Sequence, residues 1–195
     1  MLELKNVCKS FENKPVLKNI NMTVPDKGIL CIKGPSGCGK TTLMRIITGL
    51  EAADSGEILC PCSIRQAVVF QEDRLLPWKT AEEKIIAVGV KREVARRYLE
   101  LTKLSSDADK YPRQLSGGMR RRLSCARALA FGGDMYIFDE PLTGLDDELR
   151  TYMLELIRKE TESKSVIMIT HDSDAADILN AQVYDLSLQN NGGRI

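Results

Sequence analysis

Eight consecutive residues, Gly34-Pro35-Ser36-Gly37-Cys38-Gly39-Lys40-Thr41, have the spacing G-x-x-x-x-G-K-[ST]. Glycines at these places let successive backbone N–H groups turn onto an anion with no Cβ in the way. A lysine at this spacing reaches the β- and γ-phosphates of a nucleoside triphosphate, and the hydroxyl of Thr41 is set to ligate Mg²⁺. A second group lies far along the chain, where Met135-Tyr136-Ile137-Phe138 runs into Asp139-Glu140. A buried strand that ends in a carboxylate suits Asp139 to hold a cation opposite a phosphate loop. Glu140 then stands where a water could be activated for attack. The plainer use of two acids at a strand end is to cap the helix that follows. Between the two groups, Leu115-Ser116-Gly117-Gly118-Met119 places a hydroxyl and free N–H groups at a helix start, a second anion site. One nucleotide rarely needs two such cradles from one chain. The economical arrangement is a head-to-tail pair, each chain lending its Ser116 turn to the other's nucleotide.

These residues need elements to hold them. Gly28 to Lys33 reads as a short buried strand before the phosphate loop, and Thr42 to Ile47 opens a helix after it. Leu43, Ile46, Ile47 and Leu50 recur at helical spacing and predict one buried face, with the helix dipole aimed at the loop. Upstream, Leu2 to Val7 and Val16 to Val24 alternate as half-exposed strands, with Cys8 to Lys14 as the turn between them. Glu57 to Leu59 and Ala67 to Phe70 are further strands, the latter ending at Gln71. From Lys79 to Ala130 the chain carries helix formers with charged faces, Ala81 to Leu104 first and a second helix from about Ser116. This predicts a helical insertion in an α/β core. Strand-like segments follow at Asp134 to Asp139, Ser165 to Thr170 and Ala181 to Leu188, joined by helices over Asp147 to Glu162 and Asp174 to Asn180. Apolar strands alternating with helices predict a mainly parallel sheet covered on both faces, with an antiparallel β portion at the N-terminus.

The 195 residues suit one domain, and 43% hydrophobic with 28% charged residues is the composition of a soluble globular protein. No apolar run approaches the roughly 20 residues of a membrane span, and the N-terminus lacks the apolar stretch of a signal peptide. A net charge of +1 gives no drive toward nucleic acid. Six cysteines, one of them Cys38 inside the phosphate loop, point to free thiols in a reducing cytosol. Cys60-Pro61-Cys62 offers one pair where tetrahedral zinc wants four ligands, so a turn is expected.

In family order and over almost the whole chain, the sequence resembles the ATP-binding cassette family, the ATPase subunits of membrane transporters. The resemblance rests on the phosphate loop, Gln71, the Leu115 to Met119 signature and the Met135 to Glu140 strand. Leu142-Thr143-Gly144-Leu145-Asp146 and His171 in Ile169-Thr170-His171-Asp172 complete it. The segment Phe70 to Trp78 and the signature ending in Met119 look like importers of nitrate, sulfonates and taurine. Phe11 matches the aromatic residue that stacks on adenine, usually Tyr, and Val16 belongs to the same nucleotide-binding set. The helical insertion is short for the family, and the chain stops soon after its final strand, which implies no C-terminal regulatory domain.

The resemblance implies a P-loop NTPase that binds and hydrolyses ATP with Mg²⁺. Gly34, Pro35, Ser36, Gly37, Cys38, Gly39, Lys40, Thr41 and Thr42 form the phosphate-binding set. Thr41, Gln71 and Asp139 serve the metal, Glu140 polarises the water and His171 contacts the γ-phosphate. Leu115, Ser116, Gly117, Gly118, Met119 and Asp146 serve the nucleotide of a second copy. Partners implied are that copy, transmembrane permease subunits and a separate solute-binding protein, with the ATPase on the inner face of the cell membrane. A soluble cassette ATPase of DNA repair, chromosome structure or translation is the other class, although its usual coiled coils, zinc modules or second cassette are absent here. Trp78 fits either core or an exposed contact for a membrane subunit. Arg120-Arg121-Arg122 with Arg127 predicts a solvated face, because three adjacent positions point three ways around a helix.

Overall fold

The computed structural model describes residues 2–60, 64–72, 74–172 and 174–187. Pro61 and Cys62 of the turn expected at Cys60-Pro61-Cys62, and Leu188 at the end of the predicted segment Ala181 to Leu188, lie outside them. The chain opens with β1 (Leu2–Phe11), β2 (Lys14–Val24), β3 (Gly28–Lys33), α1 (Lys40–Ile47), β4 (Ser55–Leu59) and β5 (Gln66–Val69). Three helices follow, α2 (Ala81–Ile86), α3 (Arg92–Leu101) and α4 (Gly117–Phe131). The chain then alternates through β6 (Met135–Asp139), α5 (Asp147–Glu160), β7 (Ser165–Ile169), α6 (Ala175–Leu179) and β8 (Gln182–Asp185).

β1, β2 and β4 make an antiparallel sheet in the order β2-β1-β4, and a parallel sheet runs β5-β6-β7-β3-β8. Side chains alternate across a strand, so residue parity decides which core each enters. Leu30 and Ile32 of β3, Met135 and Ile137 of β6, and Ile167 and Ile169 of β7 pack with α1 and the antiparallel sheet. Ile29, Cys31, Tyr136, Phe138, Val166 and Met168 face the other way, onto a core shared with the remaining helices. Both faces being buried is why these strands read as unbroken apolar runs. In the helical layer, Ala81, Ile85, Ala95, Leu99, Leu123 and Ala126 join that second core, so the insertion shares apolar packing with the parallel sheet. Tyr98 Oη donates to Glu160 Oε2 at 2.9 Å, tying α3 to the end of α5.

Three expectations change. Cys8 to Lys14 is not a turn: β1 continues to Phe11, and only Glu12-Asn13 turn, both at positive φ. Bulges hide the strand in the sequence. Asn6 and Asn19 adopt φ of 50° and 49°, the pairing register shifts, and the inward phase moves from Leu2 and Leu4 to Val7 and Lys9. Leu50 is 56% exposed rather than core, because α1 stops at Ile47 and Gly49, at φ 72°, turns the chain off the helical stripe. Ala81 to Leu104 is two helices. Thr80 and Glu83 form a capping box that starts α2, and Gly89 at φ 91° stands in the break before α3.

Candidate functional site

The phosphate loop joins β3 to α1 at the C-terminal edge of the parallel sheet, the crevice where open α/β sheets bind ligands. Gly39, at φ 103°, precedes the first helical residue, and a Cβ there would stand 2.8 Å from Leu17 Cδ2. A Cβ on Gly34 would meet Cys38 Sγ at 2.7 Å. Both places require glycine, and the loop they allow folds tightly on itself and passes close against Val16 and Leu17 of β2. Lys40 is 7% exposed, and its Nζ donates to the carbonyls of Gly34 at 2.7 Å and Pro35 at 2.9 Å. The ammonium is therefore held across the mouth of the loop. A cavity of about 340 Å³ opens in front of it, lined by Val16, Ser36, Gly37, Gly39, Lys40, Thr41, Thr42, Gln71, Asp139, Glu140 and His171.

Neighbouring strand ends bring the acids and the imidazole there. Asp139 ends β6 opposite Ile169 of β7, and Glu140 N donates to Ile169 O at 2.9 Å. Asp139 is 2% exposed and accepts a 3.5 Å hydrogen bond from Thr41 Oγ1. Burial raises its carboxyl above the ordinary range and the Glu140 charge adds to this, while Thr41 and the Lys40 and Arg121 charges act the other way. A carboxylate held that way is stabilised by a cation. Among the described residues there is no cluster of three or more His, Cys, Asp or Glu that could hold one alone. The donors present, a hydroxyl, a carboxylate and the Gln71 amide, suit a hard divalent ion that takes its remaining oxygens from phosphate.

Glu140 adopts φ 49°, the left-handed region that a non-glycine residue rarely enters. His171 Nε2 lies 3.2 Å from Glu140 Oε1, too poorly aligned for a hydrogen bond, so that buried oxygen has no donor. Thr143 Oγ1 donates to Glu140 Oε2 at 3.4 Å and orients the carboxylate from the other side. Glu140 thus lines the cavity with its carboxylate oriented by Thr143 and its other oxygen unpaired.

The Ser116 turn lies elsewhere. Ser116 is the N-cap of α4, its Oγ accepting from Met119 N at 3.2 Å. With Gly117, Gly118 and Met119 it lines a cleft of about 570 Å³ whose other wall includes Thr143, Gly144, Leu145 and Asp146. This cleft and the phosphate cavity share no lining residue.

Most predicted residues therefore fall into two groups, with exceptions. Leu115 is 4% exposed and packs in the core of the helical layer, so its side chain reaches neither cavity. Asp146 lines the Ser116 cleft and also caps α5, accepting from Leu149 N at 2.9 Å. Cys38 packs against the core under the antiparallel sheet. Phe11 stands outside the cavity lining, 44% exposed, with Lys9 Nζ 5.1 Å from its ring centroid. Trp78 is 68% exposed. The arginines do not form a solvated face. Arg121, Arg122 and Arg127 donate to the carbonyls of Gln71, Lys103 and Arg74, and Arg120 to that of Leu115. Their long apolar stems lie along the helical layer while the guanidinium groups find backbone oxygen.

The sequence pattern gives Thr143 and Arg150 no role of their own and puts Arg121 on a solvated face. Arg150 pairs with Asp172, beside His171, and joins the start of α5 to the loop that carries the imidazole. Nothing in the local pattern signals that pairing, which spans two strand–helix units.

Known proteins give the same outline. A family model described as "ABC transporter" matches residues 17–143. The aliphatic sulfonates import ATP-binding protein SsuB 1 of Shouchella clausii is 39% identical over 94% of this chain and 76% of its own length. The taurine import ATP-binding protein TauB of Escherichia coli O157:H7 is 33% identical over 96% of this chain and 80% of its own. Among solved structures, a dimeric post-hydrolysis state of the ATP-binding cassette MJ0796 bound to ADP and Pi superposes with a TM-score of 0.85. It is 28% identical, covering 95% of this chain and 94% of that one.

Proposed function

The chain belongs to the ABC transporter family, and on that premise we propose that it is the ATP-hydrolysing subunit of an importer, working as a head-to-tail pair. The observation that carries this reading is the separation of two half-sites. One cavity holds the phosphate loop, both acids and the imidazole, and the other holds a glycine-rich helix start with no hydrolytic group. Facing copies would complete each other, the Ser116 turn of one closing over the γ-phosphate gripped by the other. The dimeric relative bound to ADP and Pi supports that assembly.

Within the pair, Lys40 and the loop amides hold the β- and γ-phosphates, Thr143 orients the Glu140 carboxylate that directs the attacking water, and His171 contacts the γ-phosphate. Thr41, Asp139 and Gln71 are the residues that would hold Mg²⁺, whose charge would offset that of the phosphate oxygens. Most of the rate gain comes from positioning and charge, since the transferred phosphoryl needs little covalent help. No helix among the described residues is long and apolar enough to cross a membrane. On this reading the path for the solute belongs to separate permease subunits on whose inner face this chain docks, with exposed Trp78 and half-exposed Leu76 available for contact. A separate binding protein would deliver the solute. The names of the relatives support a sulfonate or taurine-like cargo.

Affinity isolation of the chain from detergent-solubilised native membranes tests the reading. The expected result is a membrane-spanning partner in fixed ratio whose presence raises ATP turnover. Turnover that rises with nucleic acid, with no membrane protein retained, would assign a soluble cassette ATPase instead.

A further inference from the structure

Besides Thr143, which lines the Ser116 cleft and donates to Glu140, an arginine side chain links the two half-sites. Arg121 is five residues into the chain from Ser116, on the helix that Ser116 caps, and it lines the Ser116 cleft. Its Nη1 donates to the carbonyl of Gln71, with the carbonyl of Phe70 at 3.5 Å from the same nitrogen. Gln71, two residues beyond the end of β5, lines the phosphate cavity of the same chain. Arginine-to-carbonyl bonds are charge-assisted and stronger than neutral ones. The residues that follow Gln71 are held the same way. Arg127 Nη1 donates to Arg74 O at 3.2 Å, and Lys84 of α2 donates to the carbonyl of Lys79. The segment after β5 is therefore fastened by main-chain carbonyls to α4 and α2, while its root stays in the parallel sheet.

We propose that Arg121 is a positioning residue that ties the Ser116 helix to Gln71, so that seating the Ser116 turn on one nucleotide sets the Gln71 amide at the other. The proposal rests on the shared-site reading above. In a head-to-tail pair, Ser116 and Gln71 of one chain serve two different nucleotides, so a rigid link between them couples the two hydrolysis events. A helix transmits displacement along its axis without bending over so short a distance. Gln71 has only two residues of slack between the sheet and the Arg121 bond, so movement of α4 shifts the amide within the cavity.

A double-variant cycle on the intact chain, read by steady-state ATP turnover, tests the link. Arg121→Ala should lower kcat about tenfold with KM changed less than about twofold, since displacing a positioning group costs rate before binding. The Hill coefficient for ATP should fall toward 1. Arg121→Lys, which keeps a cation within reach of the carbonyls, should recover most of the loss. In a Gln71→Ala background, Arg121→Ala should add nothing, because the group it positions is gone. Wild-type kcat and Hill coefficient in Arg121→Ala, or losses that multiply in the double variant, would overturn the proposal. If Arg121→Ala does not fold, Arg121→Met preserves the packed stem and carries the same cycle. ATP-driven pairing of a Glu140→Gln chain is measured separately. A monomer there removes the shared site, while the cycle still decides whether Arg121 acts through Gln71.

Discussion

The two half-sites are built by opposite means. The phosphate cavity stands on buried strands: Asp139 ends β6 and His171 lies two residues past the end of β7, the side chains of both strands are all buried, and the phosphate loop leaves β3 in the same sheet. Its groups are fixed before any ligand arrives, which is what a site relying on charge and alignment needs. The Ser116 cleft stands on one helix N-terminus and one loop, with Ser116 and Gly117 exposed. It offers backbone N–H groups, hydroxyls and arginines but no imidazole, and its one lining acid, Asp146, caps α5. Gripping and hydrolysis belong to the first half, and closure to the second.

Variants should separate these duties. The largest effect belongs to Lys40→Ala, which removes the charge held across the loop by the Gly34 and Pro35 carbonyls. Affinity for ATP should fall at least about a hundredfold and turnover should vanish, as expected for a lost charge-assisted phosphate contact. Fluorescent-nucleotide titration measures it. Gly118→Asp should act only on the second half. A Cβ there lies 3.6 Å from Gly144 O, an ordinary contact, but the added carboxylate would face an incoming phosphate. The monomer should bind ATP as the wild type does, while turnover drops on the order of a hundredfold through charge repulsion at the closing face. Equal loss of ATP affinity in both variants would erase the distinction.

The smallest effect concerns α4, the helix behind the cleft. Burial pushes the Cys125 thiol up to about 12 from its ordinary 9.0. A raised folded value means the folded state holds its proton longer, so stability is intact below pH 9 and declines as pH climbs from there toward 12. Cys31, pushed to about 11 by burial, has the same sign. Lys84, lowered to about 8 by burial, has the opposite sign, because its unfolded form keeps a proton that the folded form sheds. The difference between two proteins isolates Cys125. Between pH 9 and 10 the wild type should lose about 1 kcal/mol more unfolding free energy than Cys125→Ala. Parallel denaturant curves for the two would remove the thiol from the account.

What the sequence disclosed follows the same division. Gly34 to Thr41 and Met135 to Glu140 were readable because a phosphate loop and a strand-end acid are local patterns, each fixed by a few adjacent residues. Parallel strands buried on both faces announce themselves as apolar runs. The antiparallel strand past Val7 was not readable, since Asn6 and Asn19 bulge it and break the alternation. Leu50 looked like core because periodicity carries no stop signal, and only Gly49 hinted that α1 had ended. Arg121 to Gln71 and Arg150 to Asp172 were hidden for a different reason. They join residues far apart in sequence, and a charged side chain reaching a distant carbonyl or carboxylate leaves no periodic trace.

The shared site itself is tested most directly by sedimentation velocity of Glu140→Gln with and without saturating Mg²⁺-ATP. Removing the carboxylate that directs water should stop hydrolysis while leaving Lys40, Thr41 and the Ser116 turn intact. The protein should then sediment as a monomer alone and as a dimer with ATP. A chain that binds ATP fully yet stays monomeric would show that the Ser116 cleft does not close over a second copy's nucleotide.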